Sequence, residues 1–228
     1  MNEAVVDSRR NFLRGLSFGA AGLGFSGFFN IPGLFAQELT RLTLTAPQGA
    51  GPFYPDRLPL DTDNDLLLVN DGITPAVGQI THLGGRLLTR SGTAIRNALV
   101  EIWQADNNGV YIHSDSSSQG DLDENFQGFG RFLTGATGEY YFRTIKPVIY
   151  GNRTPHVHFA VKMTGRETWT TQCYVRGEPR NETDNLLNRI TDPRARETVL
   201  VDFVPVPGSR IGELAARFDI VLGMTPEA

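Results

Sequence analysis

Short runs of apolar and β-branched residues alternate with glycine, proline and polar turns along most of the chain. Such runs predict strands, because these residues suit a pleated, half-buried surface and the turn residues end each run. The predicted strands are Gln79–Thr89, Ala94–Gln104, Phe129–Thr134, Glu139–Thr144, Pro155–Lys162, Thr168–Val175, Leu200–Pro205 and Ala216–Leu222. The pattern therefore predicts an all-β fold, a single antiparallel β-sandwich with long loops.

The segments between these strands carry turn chemistry. Gly135–Gly138 lies between two predicted strands and predicts a hairpin formed by Phe129–Thr134 and Glu139–Thr144. Gln48–Asp56 contains alternating glycine, proline and aromatic residues and predicts a rigid aromatic turn. Only 184–199 has mixed helical character, and Pro193 interrupts it. We find neither an internal repeat nor a second domain.

The first 36 residues predict a twin-arginine signal peptide rather than part of the fold. Arg9 and Arg10 precede an uncharged, glycine-rich stretch, Gly15–Phe35, and cleavage is expected after Ala36. The predicted domain is then 37–228, exported to the periplasm or secreted, with no stable membrane span after processing. An uncleaved anchor is the alternative.

Composition restricts the function classes. The chain has 228 residues, of which 40% are hydrophobic and 20% charged, and its formal net charge is −4. Nothing here favours nucleic acid, which binds basic surfaces. The single cysteine, Cys173, excludes an internal disulfide framework and a zinc site built from cysteines.

The candidate chemistry centres on His156 and His158, two residues apart in a predicted strand. Side chains at this spacing point to the same face, about 7 Å apart at the backbone. Tyr150 lies six residues upstream, and Tyr111 follows a predicted turn. The hypothesis is a mononuclear iron site with two histidines and two tyrosinates. Taken alone, a His-x-His pair is more often a hydrogen-bonded pair or a zinc or copper site, and buried tyrosines are usually core residues.

Five motifs, in order along the chain, resemble those of the intradiol ring-cleavage dioxygenases, particularly the protocatechuate 3,4-dioxygenase type. Each motif is weak alone, but together they cover roughly Gly51 to Val175 and are specific. They are Gly51–Pro55, Val100–Tyr111, Phe126–Arg131, Tyr141–Tyr150 and Arg153–Phe159.

The resemblance implies non-haem Fe(III) held by Tyr111, Tyr150, His156 and His158. A hard, highly charged ion of this kind prefers anionic oxygen ligands, and direct bonding to it deprotonates a phenol. Residues 37–228 would be the catalytic domain. It would cleave a catechol-type ring with O₂, between the two hydroxyl-bearing carbons, to give a muconate-type diacid. Tyr150 would leave the metal and accept one substrate proton.

The resemblance also implies roles around the metal. Arg153 would bind the substrate and stabilise its developing negative charge, and Gln172 would orient a histidine by hydrogen bonding. Trp103 would form a pocket wall, and Tyr54 would line the entrance. His82 and His113 match no family position, and we interpret them as ordinary polar residues.

Two other functions remain open at this point. One is an exported β-sandwich that binds metal or carbohydrate without catalysis, since sandwiches host many functions. The other is a zinc hydrolase using His156 and His158, although no carboxylate lies near them in the sequence. The resemblance is compatible with a homo-oligomer and leaves the particular catechol unspecified.

Overall fold

Ten strands carry the fold in the computed structural model, which describes residues 41–70, 72–117 and 121–223. They are β1 (Ile80–Thr89), β2 (Leu99–Trp103), β3 (Phe129–Leu133), β4 (Glu139–Ile145), β5 (His156–Lys162), β6 (Trp169–Val175), β7 (Leu200–Val201), β8 (Phe203–Pro205), β9 (Leu214–Arg217) and β10 (Ile220–Leu222). The helical segments are short: Ser114–Ser117 and Pro193–Glu197 are α-helical, and Pro179–Glu182 and Leu187–Arg189 are 3₁₀ helices. The predicted signal peptide lies outside the described residues. Within them, no helix has the length and apolar character needed to span a membrane.

The strands form two five-stranded sheets. The first sheet has the order β10-β1-β9-β8, with β4 also paired to β1, and the second has the order β3-β2-β5-β6-β7. Most pairings are antiparallel, while β1 pairs in parallel with β9 and β10, and β6 with β7. This architecture confirms the predicted all-β sandwich.

The predicted hairpin around Gly135–Gly138 is wrong, because its two strands belong to different sheets. β3 pairs with β2, and β4 pairs with β1. The reason lies at Thr134, whose hydroxyl accepts a hydrogen bond from the Ala98 amide and donates one to the Ile95 carbonyl. These bonds hold the end of β3 against the start of β2, so the following turn crosses between sheets.

Two further predicted strands are each divided in two. Leu200–Pro205 is broken at Asp202, and the last strand is broken between β9 and β10, with β9 starting earlier than predicted. At this second break Phe218 turns toward the sheet, where its carbonyl accepts a hydrogen bond from the Tyr140 hydroxyl. A Cβ at Gly85 would lie 1.9 Å from the Phe218 carbonyl oxygen, so only glycine allows this approach.

The core lies between the facing sheets. The side chains of Val157, Phe159 and Val161 on β5 belong to it, together with residues of both sheets. The Phe159 ring packs on Phe218, with centroids 4.9 Å apart. Strand alternation then places His156 and His158 on the opposite, outer face of the second sheet.

That outer face is also buried. Every residue of β5 from His156 to Val161 is buried, although alternate residues point to opposite faces. A second apolar cluster forms there around Trp103, Tyr111 and Phe129, distinct from the main core. The loops that cover this face therefore create a second interior, which contains the candidate site.

Candidate metal centre

Strand register places the candidate residues on neighbouring strands. His158 on β5 lies opposite Trp103 on β2 and Gln172 on β6, and His156 lies opposite Tyr174. Directly opposed residues share a face of the sheet. The side chains of all five therefore meet on the buried outer face.

Three nitrogen and oxygen atoms converge at one point on this face. The Tyr111 hydroxyl lies 3.3 Å from His156 Nε2 and 3.2 Å from His158 Nε2, and the two nitrogens are 3.1 Å apart. All three side chains are almost completely buried. The structure thus brings together three of the four predicted ligands.

A tight turn delivers Tyr111. The Asp106 carboxylate accepts hydrogen bonds from the Asn108 and Val110 amides, and Gly109 has a φ of +79°, which favours glycine. The Tyr111 ring then stacks on Phe53, with centroids 5.3 Å apart and planes 19° apart. Phe53 belongs to the predicted aromatic turn, which therefore lies directly over the site.

Tyr150 lies beside this group. Its ring meets that of Tyr111 edge-on, with centroids 5.3 Å apart, and also meets Phe53 edge-on at 5.4 Å. It is partly exposed, and among the described residues its hydroxyl makes no hydrogen bond to the three converging atoms. Its predicted role as a ligand stays a prediction.

The orientation of His156 is set by a backbone carbonyl. His156 Nδ1 lies 2.6 Å from the Thr154 carbonyl oxygen. Among the described residues Gln172 makes no hydrogen bond to a histidine: its Oε1 accepts from Arg153 Nη2 at 2.6 Å and from the Tyr174 hydroxyl at 3.0 Å, and its Nε2 donates to the Gly49 carbonyl at 3.4 Å. Its predicted role in orienting a histidine stays a prediction. In the part of the chain that the structure describes, His158 Nδ1 has no hydrogen-bond partner.

Arg153 is held on two sides. Its Nε donates to Asp184 Oδ2 at 2.7 Å, and its Nη2 donates to Gln172. The Asp184 side chain is fully buried and that of Arg153 is 15% exposed. This places a fixed cation beside the candidate ligands, as predicted, but the acidic partner was missed because its sequence context has no distinguishing motif.

Trp103 packs against the ring of His158. The two rings stack with centroids 4.9 Å apart and planes 9° apart, and Trp103 has no exposed surface. Tyr54 packs edge-on against Trp103 at 5.1 Å, and its hydroxyl donates to the buried Glu101 at 2.9 Å. The predicted contacts of Tyr54 and Trp103 with substrate stay predictions. Glu101 was missed, although a carboxylate inside an apolar strand is itself a signal.

Burial and Arg153 together set the ionisation of the site. Burial is the main cause that raises the pKa of Tyr111, and the Arg153 charge acts in the opposite direction; the pKa of Tyr150 is raised with the same two opposing causes. Burial, followed by the Arg153 charge, lowers the pKa of His156 to about 4. Burial, followed by the charges of His156 and then Arg153, holds the pKa of His158 well below its usual range. Both imidazoles are neutral at pH 7, as metal ligands must be.

The two unassigned histidines differ in position. His82, on β1 of the other sheet, contacts the Tyr141 hydroxyl at 2.6 Å and Glu213 at 3.0 Å, in keeping with a polar role. His113 lies closer to the site than its sequence suggested, with its ring edge-on to Phe53 at 5.6 Å. An open cleft of about 500 Å³ lies beside it. Its lining residues are Asp56, Arg57, Ile112, His113, Ser114 and Leu122.

These residues fit a metal ion. Ligand atoms bonded to one ion at about 2.0–2.2 Å must lie roughly 3 Å apart, and the three atoms observed lie 3.1–3.3 Å apart. A hydrogen on His156 Nδ1, facing a carbonyl, leaves the neutral ring's Nε2 lone pair directed at this point. No three His, Cys, Asp or Glu side chains form a metal site in the described part of the chain, and the group found here includes the Tyr111 oxygen.

Comparisons with known proteins agree with this arrangement. A family model described as Dioxygenase matches residues 50–223. The protocatechuate 3,4-dioxygenase beta chain of Burkholderia cepacia is 36% identical over 173 residues, covering 72% of each chain. Catechol 1,2-dioxygenase 2 of Acinetobacter lwoffii is 31% identical over 179 residues, covering 70% of this chain and 62% of that protein.

A solved structure extends the comparison to the fold. It is the dioxygenase domain of a dioxygenase carbohydrate-binding protein fusion from Streptomyces sp. SirexAA-E. Its TM-score is 0.60 at 30% identity, and the match covers 80% of this chain and 100% of that domain. The chain therefore belongs to the intradiol ring-cleavage dioxygenases. Within them it is an oxidoreductase of the protocatechuate 3,4-dioxygenase-like type.

Proposed function

We propose that this enzyme uses non-haem Fe(III) to cleave the ring of a catechol-type, protocatechuate-like substrate between its two hydroxyl-bearing carbons. O₂ is the co-substrate, and the product is a muconate-type diacid. The observation that carries the proposal is the convergence of the Tyr111 hydroxyl, His156 Nε2 and His158 Nε2 within 3.1–3.3 Å. Tyr150 and Arg153 lie alongside.

The donor set favours a ferric ion. A buried phenol such as Tyr111 resists ionisation, so a highly charged cation is needed to hold it as phenolate. Neutral imidazoles add two ligands without adding charge, and hard Fe(III) matches anionic oxygen better than softer ions do. When bound, the ferric ion would act as a Lewis acid on a chelated catechol and make its ring carbons reactive toward O₂.

The chain's own residues then handle protons and charge. Tyr150, the most exposed of the four proposed ligands, would help to hold the metal and would accept a substrate proton at its phenolate oxygen. Arg153, fixed by Asp184 and Gln172, stabilises negative charge developing on the substrate. Trp103 stacks on the His158 ring and keeps it in one plane, and Tyr54 packs against Trp103 at the entrance to the pocket.

We also propose that the enzyme works outside the cytoplasm, as its twin-arginine motif predicts, and as a homo-oligomer. Its relatives include proteins named protocatechuate and catechol dioxygenases. One solved relative comes from a bacterium described as cellulolytic, and we propose plant-derived phenolics as the substrate source. A panel of catechols with and without a carboxylate tests this: turnover of protocatechuate alone would contradict the wider substrate class.

The first test is a visible absorption spectrum of the iron-loaded protein before and after catechol is added under argon. Tyrosinate bound to Fe(III) should give a broad charge-transfer band, and catechol should shift it. Tyr150→Phe should change the band and lower turnover by about 100-fold or more, since proton transfer by a positioned side chain contributes that much. Tyr141→Phe, which alters a tyrosine bonded to His82 in the other sheet, is the matched control.

A protein that stays colourless after ferric reconstitution would exclude the proposed centre. If Tyr150→Phe left turnover unchanged, Tyr150 would have no role in proton transfer. Metal analysis that found zinc at one ion per chain would instead revive the hydrolase. A non-catalytic carbohydrate-binding sandwich would be insensitive to the change at Tyr150.

A further inference from the structure

Asp184 is a buried carboxylate between the 3₁₀ helices Pro179–Glu182 and Leu187–Arg189. Its Oδ1 accepts hydrogen bonds from the amides of Leu186 and Leu187, at 3.0 and 2.9 Å. Leu187 in turn belongs to a small buried cluster with Tyr174. One oxygen of this carboxylate is therefore fixed to a packed backbone segment.

The other oxygen holds the loop that leads into β5. Asp184 Oδ2 accepts from Arg153 Nε at 2.7 Å and from the Thr154 amide at 3.0 Å. Asn181, just before Asp184, accepts a hydrogen bond from the Thr154 hydroxyl at 2.7 Å. The amide and the side chain of Thr154 are thus both fixed to the same segment.

The remaining polar group of Thr154 reaches the candidate ligand. Its carbonyl oxygen lies 2.6 Å from His156 Nδ1, and a carbonyl can only accept, so Nδ1 carries the hydrogen. In the neutral ring Nε2 is then the atom with a free lone pair, directed toward Tyr111 and His158. The position of the Thr154 carbonyl therefore selects the tautomer and the ring orientation of His156.

The same carboxylate fixes the cation. With Nε held by Asp184, the Arg153 guanidinium directs Nη2 at Gln172 Oε1, 2.6 Å away. Gln172 is the strand partner of His158. Asp184 is thus connected to His156 through Thr154, and through Arg153 to Gln172, which lies beside His158 in the sheet.

We propose that Asp184 is the positioning residue of this site. By holding the Thr154 amide and Arg153 Nε at once, it sets the His156 tautomer that presents Nε2 to the metal and the direction of the Arg153 guanidinium. Its effect on iron rests on the proposed function. Its effect on His156 and Arg153 does not, because the contacts are among the chain's own residues.

The test uses Asp184→Asn in the full domain, with Asp65→Asn as the matched control. Asp65 also pairs with an arginine, Arg143, at 2.8 Å, and accepts from a backbone amide, that of Leu67, at 3.3 Å, but it lies by the other sheet. Each metal-free protein is examined by imidazole nitrogen NMR, which reports the tautomer of His156. Iron affinity is then measured by competition with a chelator.

We expect wild type and Asp65→Asn to show a single His156 tautomer with hydrogen on Nδ1. In Asp184→Asn the Nδ1 hydrogen should exchange faster and the second tautomer should appear. Iron affinity should fall about 10–100-fold, as is typical when a group that orients a ligand is altered. An unchanged tautomer in a folded Asp184→Asn protein, with wild-type iron affinity, would overturn the proposal.

If Asp184→Asn does not fold, Asp184→Glu tests the same connection. It keeps the negative charge but adds one methylene, which displaces the carboxylate from the Thr154 amide and from Arg153 Nε. The His156 Nδ1 hydrogen should then exchange faster than in wild type, and unchanged exchange would overturn the proposal. Absence of iron binding by wild type would refute the proposed function alone, because the NMR comparison needs no metal.

Discussion

Two buried carboxylates contact residues around the candidate centre, and they are held in different ways. Asp184 accepts hydrogen bonds from three backbone amides and from one guanidinium nitrogen. Glu101 is surrounded by side chains only, at 3.0 Å from Arg131, 2.8 Å from Lys162 and 2.9 Å from the Tyr54 hydroxyl. Both carboxylates have no exposed side-chain surface.

The partners differ in their freedom to move. The side chains of Arg131 and Lys162 are 32% and 38% exposed, so they can turn to water if Glu101 is lost. Arg153 is only 15% exposed, and amides fixed in a packed backbone cannot turn away at all. Removal of a partner costs most where the remaining groups stay buried and unpaired. Asp184 should therefore control the geometry of the site, and Glu101 the attachment of the Tyr54 turn.

The largest effect is expected for Asp184→Ala. The change leaves Arg153 Nε and three amide hydrogens without their acceptor. Loss of one partner of a buried ion pair typically costs about 3–5 kcal/mol. Urea unfolding of the metal-free protein measures this loss. If the free energy of unfolding fell by less than about 1 kcal/mol, solvent would have to reach these groups. The proposed difference between Asp184 and Glu101 would then be contradicted.

Glu101→Gln should have a smaller effect. Glutamine keeps the shape and can still accept from the Tyr54 hydroxyl, while Arg131 and Lys162 can move into solvent, so a loss of about 1–2 kcal/mol is expected. Iron affinity should stay within about twofold of wild type, because no contact of Glu101 reaches a candidate ligand directly. A loss of iron affinity equal to that of Asp184→Asn would contradict the assigned difference. Combining Glu101→Ala, which removes the acceptor, with Tyr54→Phe in a double-mutant cycle isolates the Tyr54 hydrogen bond.

The strands were predictable because they depend on local patterns. Alternating apolar residues predicted β1, β4, β5 and β6 to within one or two residues at each end. Pairing between strands was not predictable from the same patterns, since the choice of sheet after Gly135–Gly138 depends on hydrogen bonds of Thr134 to a distant segment. The break at Phe218 likewise depends on Gly85, 133 positions earlier.

The site residues that belong to sequence motifs could be predicted. His156, His158 and Tyr111 do converge, and Arg153 lies close enough for its charge to act on Tyr111 and His156. Asp184 could not be found, because its role arises from the folding of a loop 30 residues beyond Thr154, and acidic residues in polar segments are usually on the surface. Gln172 does lie beside His158, but its hydrogen bonds to Arg153 and Tyr174 could not be predicted, since the sequence gives the strand position and not the competing donors.

The smallest effect, at high pH, is expected at the Glu101 side. Burial alone would lower the pKa of Lys162, but hydrogen bonds to Glu101 and Tyr54 outweigh it and raise the pKa above 10.5. A raised folded-state pKa means that Lys162 contributes stability below pH 10.5, which is lost as pH rises through the higher folded value. Lys162→Met keeps most of the aliphatic side chain and removes the charge. Its free energy of unfolding at pH 7 should be lower than that of wild type by less than about 1 kcal/mol, because solvent screens the partly exposed charge. The difference in the free energy of unfolding between Lys162→Met and wild type should shrink above pH 10.5.

The corresponding difference for Asp184→Asn should stay constant above pH 10.5 and shrink only in acid, below about pH 4. The reason is that, although burial acts to raise the pKa of Asp184, its hydrogen bonds lower that pKa. A Lys162→Met difference that persisted unchanged at high pH would show that the charge on Lys162 does not stabilise the Glu101 cluster.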